Sequence, residues 1–235
     1  MIGRGLAGLL LAMLALLAAP MATAAPARPA AKTATDWSRT VTISPDGSFV
    51  MGNPKARLLV TEFASYTCPH CAHFNAETVP PLIAGYVRPG LVRYEFRNAV
   101  HDGFDMSAAL LARCAGPAGF FALTDAFYAT QPQWEDRANK WAEAQAGALE
   151  TTPAGDKPML FAQGAGLSAI AAAHGVPLAR QKACLADQRQ NDAVLGMVRD
   201  AQARNIPGTP AVFVAGKLVE ARTWAELEPF IKQAL

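Results

Sequence analysis

The sequence predicts an α/β protein in which a β-α-β unit and a β-β-α unit are separated by an inserted α-helical domain. Three observations carry this. Cys68-Pro69-His70-Cys71 follows the apolar run Leu58 to Phe63 and precedes a segment with helical character, with strand signal again at Leu91 to Phe96. From residue 105 to 204 the periodicity is helical, with Met106, Leu110 and Cys114 at i, i+4 and i+8. Strand signal returns only at Ala211 to Val214 and Leu218 to Glu220, before a closing helix from Trp224 to Leu235.

In chain order, Arg4 opens a short basic region, Leu6 to Ala19 is an apolar core, and Ala22-Thr23-Ala24 supplies small residues for cleavage. That core falls short of the roughly 20 residues a membrane span needs. Residues 1–24 read as a signal peptide, with an uncleaved anchor as the alternative. Either way the cysteine pair faces an oxidising space outside the cytoplasm. Residues 25–40 form an Ala- and Pro-rich flexible leader. Val41 to Ile43 reads as a short strand, Pro45-Asp46-Gly47 as a turn, and Gly52-Asn53-Pro54 as a second turn. Leu58 to Phe63 is nearly all apolar, as in a central strand covered on both faces. The helix after the cysteines is expected to break at Pro80-Pro81. A parallel pair with a helical crossover then fits Leu58 to Phe63 and Leu91 to Phe96.

Within the insertion Gly116 is expected to end the first helix and Phe120 to Ala129 to form the second. Thr151 to Lys157 reads as a loop, Gly175-Val176-Pro177 stops another helix, and Gln188 to Ala203 is a last amphipathic one. Gly216-Lys217 is the expected hairpin turn. The domains are therefore 41–104 with 205–235, and the insertion 105–204. A formal charge of +2 with no basic run excludes nucleic acid as a partner.

The chemistry sits in Cys68-Pro69-His70-Cys71. A strand that delivers two cysteines, two residues apart, to a helix start is the layout of a thioredoxin-like redox site. A thiol in the first helical turn meets unpaired N–H groups and the positive end of the helix dipole, which favour its thiolate. Pro69 fits a first turn, where its missing N–H costs nothing. Ala72 after the second cysteine excludes c-type haem attachment. A zinc site would draw on His70, His73, Cys114 or Cys184, and no second CxxC pair accompanies them, so no metal is expected. Glu62, in an otherwise apolar strand, is either a partly solvated strand residue or a carboxylate held near the thiols for proton transfer. Cys114 and Cys184 read as a structural disulfide, with a second redox pair or two buried free thiols as the alternatives. His101 and His174 read as surface or helix-end residues. Trp134 and Trp141 are expected to pack locally.

Leu59-Val60-Thr61-Glu62-Phe63 before Cys68-Pro69-His70-Cys71, the helical insertion, and Ile206-Pro207-Gly208-Thr209-Pro210 before a hairpin together resemble the DsbA-like periplasmic thiol:disulfide oxidoreductases. The resemblance covers essentially the whole chain after residue 24. It implies a thioredoxin fold with an inserted helical domain, and a periplasmic dithiol oxidase that hands its Cys68-Cys71 disulfide to reduced, folding secreted proteins. No cofactor beyond that disulfide is implied, and a membrane quinone reductase of the DsbB type would reoxidise it. The resemblance also implies that Pro210 is cis and that Thr209 presents its backbone to substrate; from the residues alone an ordinary trans turn is favoured. Glu62 matches the buried acid of the family, and His70 the dipeptide position of strong oxidants. Thr209 departs from the Val common in the oxidases, which keeps a reductase or isomerase as the alternative. A Cys/His metal-binding chaperone module is a remoter one. The leader is too short for a dimerisation domain, and a monomer is expected.

Overall fold

The computed structural model describes residues 35–235, so the expected signal peptide and most of the leader lie outside the described residues. After a 3-10 turn at Trp37–Arg39 come the strands β1 (Val41–Ile43), β2 (Phe49–Met51), β3 (Leu58–Ala64), β4 (Val92–Asn98), β5 (Ala211–Val214) and β6 (Lys217–Val219). They form one sheet in the order β1-β2-β4-β3-β5-β6. β3 and β4 are parallel neighbours and every other pairing is antiparallel. The apolar run of β3 thus occupies a central position, as its composition requires.

Between β3 and β4 the crossover consists of α1 (Pro69–Glu77), α2 (Val79–Leu82) and a π-helical turn, Ile83–Val87. The break falls at Thr78, just before Pro80 and Pro81, whose rings exclude a continuous helix there. The insertion comprises α3 (Gly103–Cys114), α4 (Gly116–Ala129), α5 (Gln131–Thr151, kinked at Gln145), α6 (Lys157–Gly164), α7 (Leu167–Ala173), α8 (Leu178–Leu185) and α9 (Gln188–Ala203). α10 (Trp224–Ala234) closes the chain behind a capping box of Thr223 and Glu226. The described residues form one compact unit.

Three local expectations change. β2 was not foreseen: Phe49, Val50 and Met51 are all buried, so the strand has no alternation, and it is only three residues long. Gly116, expected to end α3, takes φ +68° as the first residue of α4, and Pro117 supports that new start. α3 has already ended at Cys114. The hairpin turn lies one residue early, on Ala215 and Gly216, both at positive φ as a two-residue hairpin of this type demands.

Helix α9 is tied to the sheet through a buried cation. Arg97 on β4 reaches Asp46 Oδ2 at 2.6 Å, Glu95 Oε1 at 3.0 Å and Asp200 Oδ2 of α9 at 3.0 Å. Such a shared buried charge fixes geometry more than it adds stability. It matters because α9 runs directly into Ile206-Pro207-Gly208-Thr209-Pro210.

Candidate active site

Cys68 is the N-cap of α1, with φ −92° and ψ 116°, and Pro69 takes the first turn. The Cys68 carbonyl accepts from the N–H of Cys71 at 3.1 Å and of Ala72 at 3.2 Å, which curls the first turn around the sulfur. Both thiols are reduced; Cys68 is 8% exposed and Cys71 fully buried. The Cys68 thiol donates to the Thr209 carbonyl at 3.3 Å, and the Thr209–Pro210 peptide is cis. The fold thus brings residues 141 positions apart to one sulfur atom. His70 and Pro69 are exposed at the rim.

The two sulfurs differ in acidity. The Cys71 thiol's hydrogen bond to Cys68 holds the Cys68 thiolate down to about 5; burial opposes this, and the Thr209 side chain and the backbone N–H groups of Cys71 and His70 add to it. Burial pushes Cys71 far up, with Cys68 and the charge of Glu62 acting in the same direction. One thiol is therefore ionised at neutral pH while the other keeps its proton.

Glu62 lies beneath the pair, 1% exposed, and Tyr94 of β4 donates to its Oε2. Burial pushes its carboxyl up to about 7, against the hydrogen bond from Tyr94, which lowers it. A carboxyl poised near neutrality beside a buried thiol is suited to holding or releasing a proton.

Several residues that bear on the site were not singled out in the sequence. The loop Ser65 to Cys68 is held from the insertion. Asp105 of α3, fully buried, accepts from Ser65 Oγ at 2.5 Å and from the N–H of Tyr66 at 2.8 Å and His101 at 2.9 Å. Tyr128 of α4 donates to the Ser65 carbonyl at 3.2 Å, and the Tyr66 hydroxyl pairs with Thr124 at 2.8 Å. Gln131, the first residue of α5, donates to the carbonyls of Tyr66 at 2.6 Å and Cys68 at 3.0 Å. Gln131→Ala is expected to lower stability by about 1–3 kcal/mol, since buried carbonyls lose a donor. It should also slow alkylation of Cys68 at pH 7; urea unfolding and iodoacetamide kinetics check both.

Away from this cluster, Cys114 and Cys184 are joined by a disulfide that spans 70 positions of sequence, with Cα atoms 5.8 Å apart. It ties α3 to α8. Trp134 is fully buried and donates to the Phe127 carbonyl at 2.8 Å, while Trp141 packs edge-on against Phe104 and Phe161. His101 and His174 are exposed. Among the described residues no three His, Cys, Asp or Glu side chains gather as metal ligands would. No helix among them is long and apolar enough to cross a membrane.

Known proteins resemble this chain over most of its described length. The family model described as thioredoxin matches residues 44–233. The crystal structure of a protein-disulfide isomerase from Novosphingobium aromaticivorans is 33% identical, with a TM-score of 0.71, over 78% of this chain and 95% of that one. Alpha-DsbA1 from Wolbachia pipientis shares the fold, with a TM-score of 0.62 at 20% identity, over 82% of this chain and 92% of that one. A provisionally named protein-disulfide oxidoreductase of Rickettsia prowazekii is 27% identical over 192 residues, 81% of this chain, and the chain spans 62% of that relative's length. The chain belongs to the thioredoxin family.

Proposed function

We propose that the chain is a dithiol oxidase, whose Cys68-Cys71 disulfide passes to reduced, folding secreted proteins. The observation that carries this reading is the unequal acidity of the two sulfurs. A substrate thiolate attacks Cys68 Sγ, the S–S bond breaks, and its electron pair goes to Cys71, which takes up a proton because its thiol is a weak acid. A second substrate thiolate then attacks the substrate sulfur of the mixed disulfide, and Cys68 leaves as a stabilised thiolate. The substrate gains a disulfide and the protein leaves with two thiols. The disulfide is itself the electron carrier, with no further cofactor.

The cis loop supplies the other half of the reading. Thr209 offers backbone beside the sulfur, and a groove of about 440 Å³ next to it is lined by Val100, His101, Val198, Ile206 and Gly208 among others. An extended chain laid there would pair main chain to main chain, which suits many sequences. The apolar segment Leu6 to Ala19 and the small residues at Ala22 to Ala24 support a periplasmic location, and a membrane quinone-linked partner would return the pair to the disulfide.

A second reading, disulfide isomerase or reductase, draws on the name of the Novosphingobium aromaticivorans structure and on Thr209 before Pro210. The reduction potential separates the two. A Cys68 thiol near 5 is ionised at pH 7, which favours the reduced form by at most about 3 kcal/mol, or about 60 mV, before solvent screening reduces it. Equilibration with glutathione buffers is expected to give a value on the oxidising side, toward about −120 mV. A value near the roughly −270 mV of thioredoxin would replace the oxidase reading with the reductase.

A further inference from the structure

We propose that Tyr94 is a positioning residue for thiol exchange: its phenol holds Glu62 by Oε2 and thereby assigns the proton passed to and from Cys71 to Oε1. This rests on the thiol-exchange reading above and adds to it a residue outside the Cys68-Pro69-His70-Cys71 motif.

The argument is one of hydrogen-bond capacity. Tyr94 and Glu62 are each 1% exposed, on neighbouring strands, with Tyr94 paired to Val60 two positions before Glu62. The phenolic O–H donates to Glu62 Oε2, while Oε1 is buried with no partner among the described residues. A phenol that donates its single hydrogen fixes that carboxylate oxygen as an acceptor. The carbonyl oxygen is the stronger acceptor of a neutral carboxyl, so this bond favours the proton of neutral Glu62 on Oε1. An unpartnered buried oxygen is costly, and its retention points to use.

The groups around the carboxyl agree. Glu62 and Cys68 repel when both are ionised, and so do Glu62 and Cys71. Tyr66, Tyr128 and Asp125 are the other titratable groups that interact electrostatically with Glu62 or Tyr94. Burial pushes both tyrosines above their ordinary range, so they remain neutral, and Asp125 hydrogen-bonds Asn75 away from the cysteine pair. Tyr94 is thus the one group among them that donates to the carboxyl. When Cys71 leaves the disulfide, its thiolate takes the proton from Glu62 Oε1 by way of one bridging water, since Oε1 makes no direct hydrogen bond to the sulfur. When Cys71 attacks a mixed disulfide at Cys68, the thiol proton returns to Glu62 Oε1 by the same route, and the small thiolate is expelled.

The test uses the full chain in its reduced form, mixed with glutathione disulfide and quenched in acid to follow resolution of the Cys68 mixed disulfide by Cys71. In the wild-type protein the resolving rate should rise with pH around an inflection near 7. Loss of a hydrogen bond to an ionised carboxylate in Tyr94→Phe should move that inflection up by about one to two pH units, slowing resolution at least about fivefold at pH 7. Alkylation of Cys68, which turns over near pH 5 where Glu62 is protonated in both proteins, should be unchanged. Glu62→Gln should remove the inflection, and Tyr94→Phe added to it should do nothing more. A wild-type inflection in Tyr94→Phe, or an equal shift in the Glu62→Gln background, overturns the proposal. No mixed disulfide in the wild-type protein overturns the thiol-exchange reading itself, and the proposal with it.

Discussion

Cys68→Ser is expected to abolish thiol exchange, whereas Cys114→Ser should leave it nearly intact and unfold at a markedly lower temperature. The contrast follows from where each sulfur sits. Cys68 caps a helix N-terminus, lies at the surface edge of a buried pair, and is the only thiol of that pair ionised at pH 7. A serine hydroxyl there ionises far outside the working range and cannot form the mixed disulfide. Cys114 is 3% exposed in α3 and bonded to Cys184 across 70 positions of sequence. A cross-link closing a loop of that length contributes roughly 4 kcal/mol in the chain-entropy account. The measurements are oxidation of a reduced peptide in the presence of glutathione disulfide, and thermal unfolding monitored by circular dichroism. Equal loss of turnover in both variants would overturn the division between a reacting pair and a structural one.

That division was partly legible in the sequence, and the physical reason is locality. Cys68, Pro69 and Cys71 act through one helical turn, so their spacing and the preceding apolar run suffice to place them. Glu62 stood out because a lone carboxylate in a run fit for burial has few explanations. The strands that alternate or run apolar for six residues are legible in the sequence, as is the crossover between β3 and β4. β2 is not, because three consecutive buried residues carry no period.

The rest of the site was not legible, since its meaning lies in pairings across distance. Asp105 looks like an ordinary first-turn acid of α3, yet it binds the Ser65 loop 40 positions earlier. Gln131 has no hydrophobic or capping signature, and its amide reaches the Cys68 carbonyl 63 positions away. Tyr94 reads as one more aromatic in an alternating strand. Only the parallel register of β3 and β4 puts its hydroxyl on Glu62. The helical insertion thus fixes the loop that carries the reacting thiol, a role its own periodicity does not announce.

The buried carboxyl sets a second large effect, on stability. Glu62 stands at about 7 in the folded protein against 4.5 for an ordinary glutamate, chiefly through burial. Because the folded value is raised, the folded chain holds a proton that the unfolded chain has released between those two pH values. Its contribution is fully present below about pH 4.5 and is lost as pH rises through 7, a change of about 3 kcal/mol. Glu62→Gln does not titrate. Relative to wild type it should therefore gain about 3 kcal/mol of stability between pH 4.5 and pH 8, whatever fixed cost the amide carries from its extra buried N–H group. Asp105 titrates in both proteins and cancels in the difference. Urea unfolding of the reduced proteins at several pH values gives the two curves. A constant offset below about pH 4.5 and a difference that grows from there until it levels off above about pH 7 are expected, and parallel curves would mean that Glu62 is not held protonated by its surroundings. A more stable variant that exchanges disulfides more slowly would show that the carboxyl is kept for proton transfer at the expense of the fold.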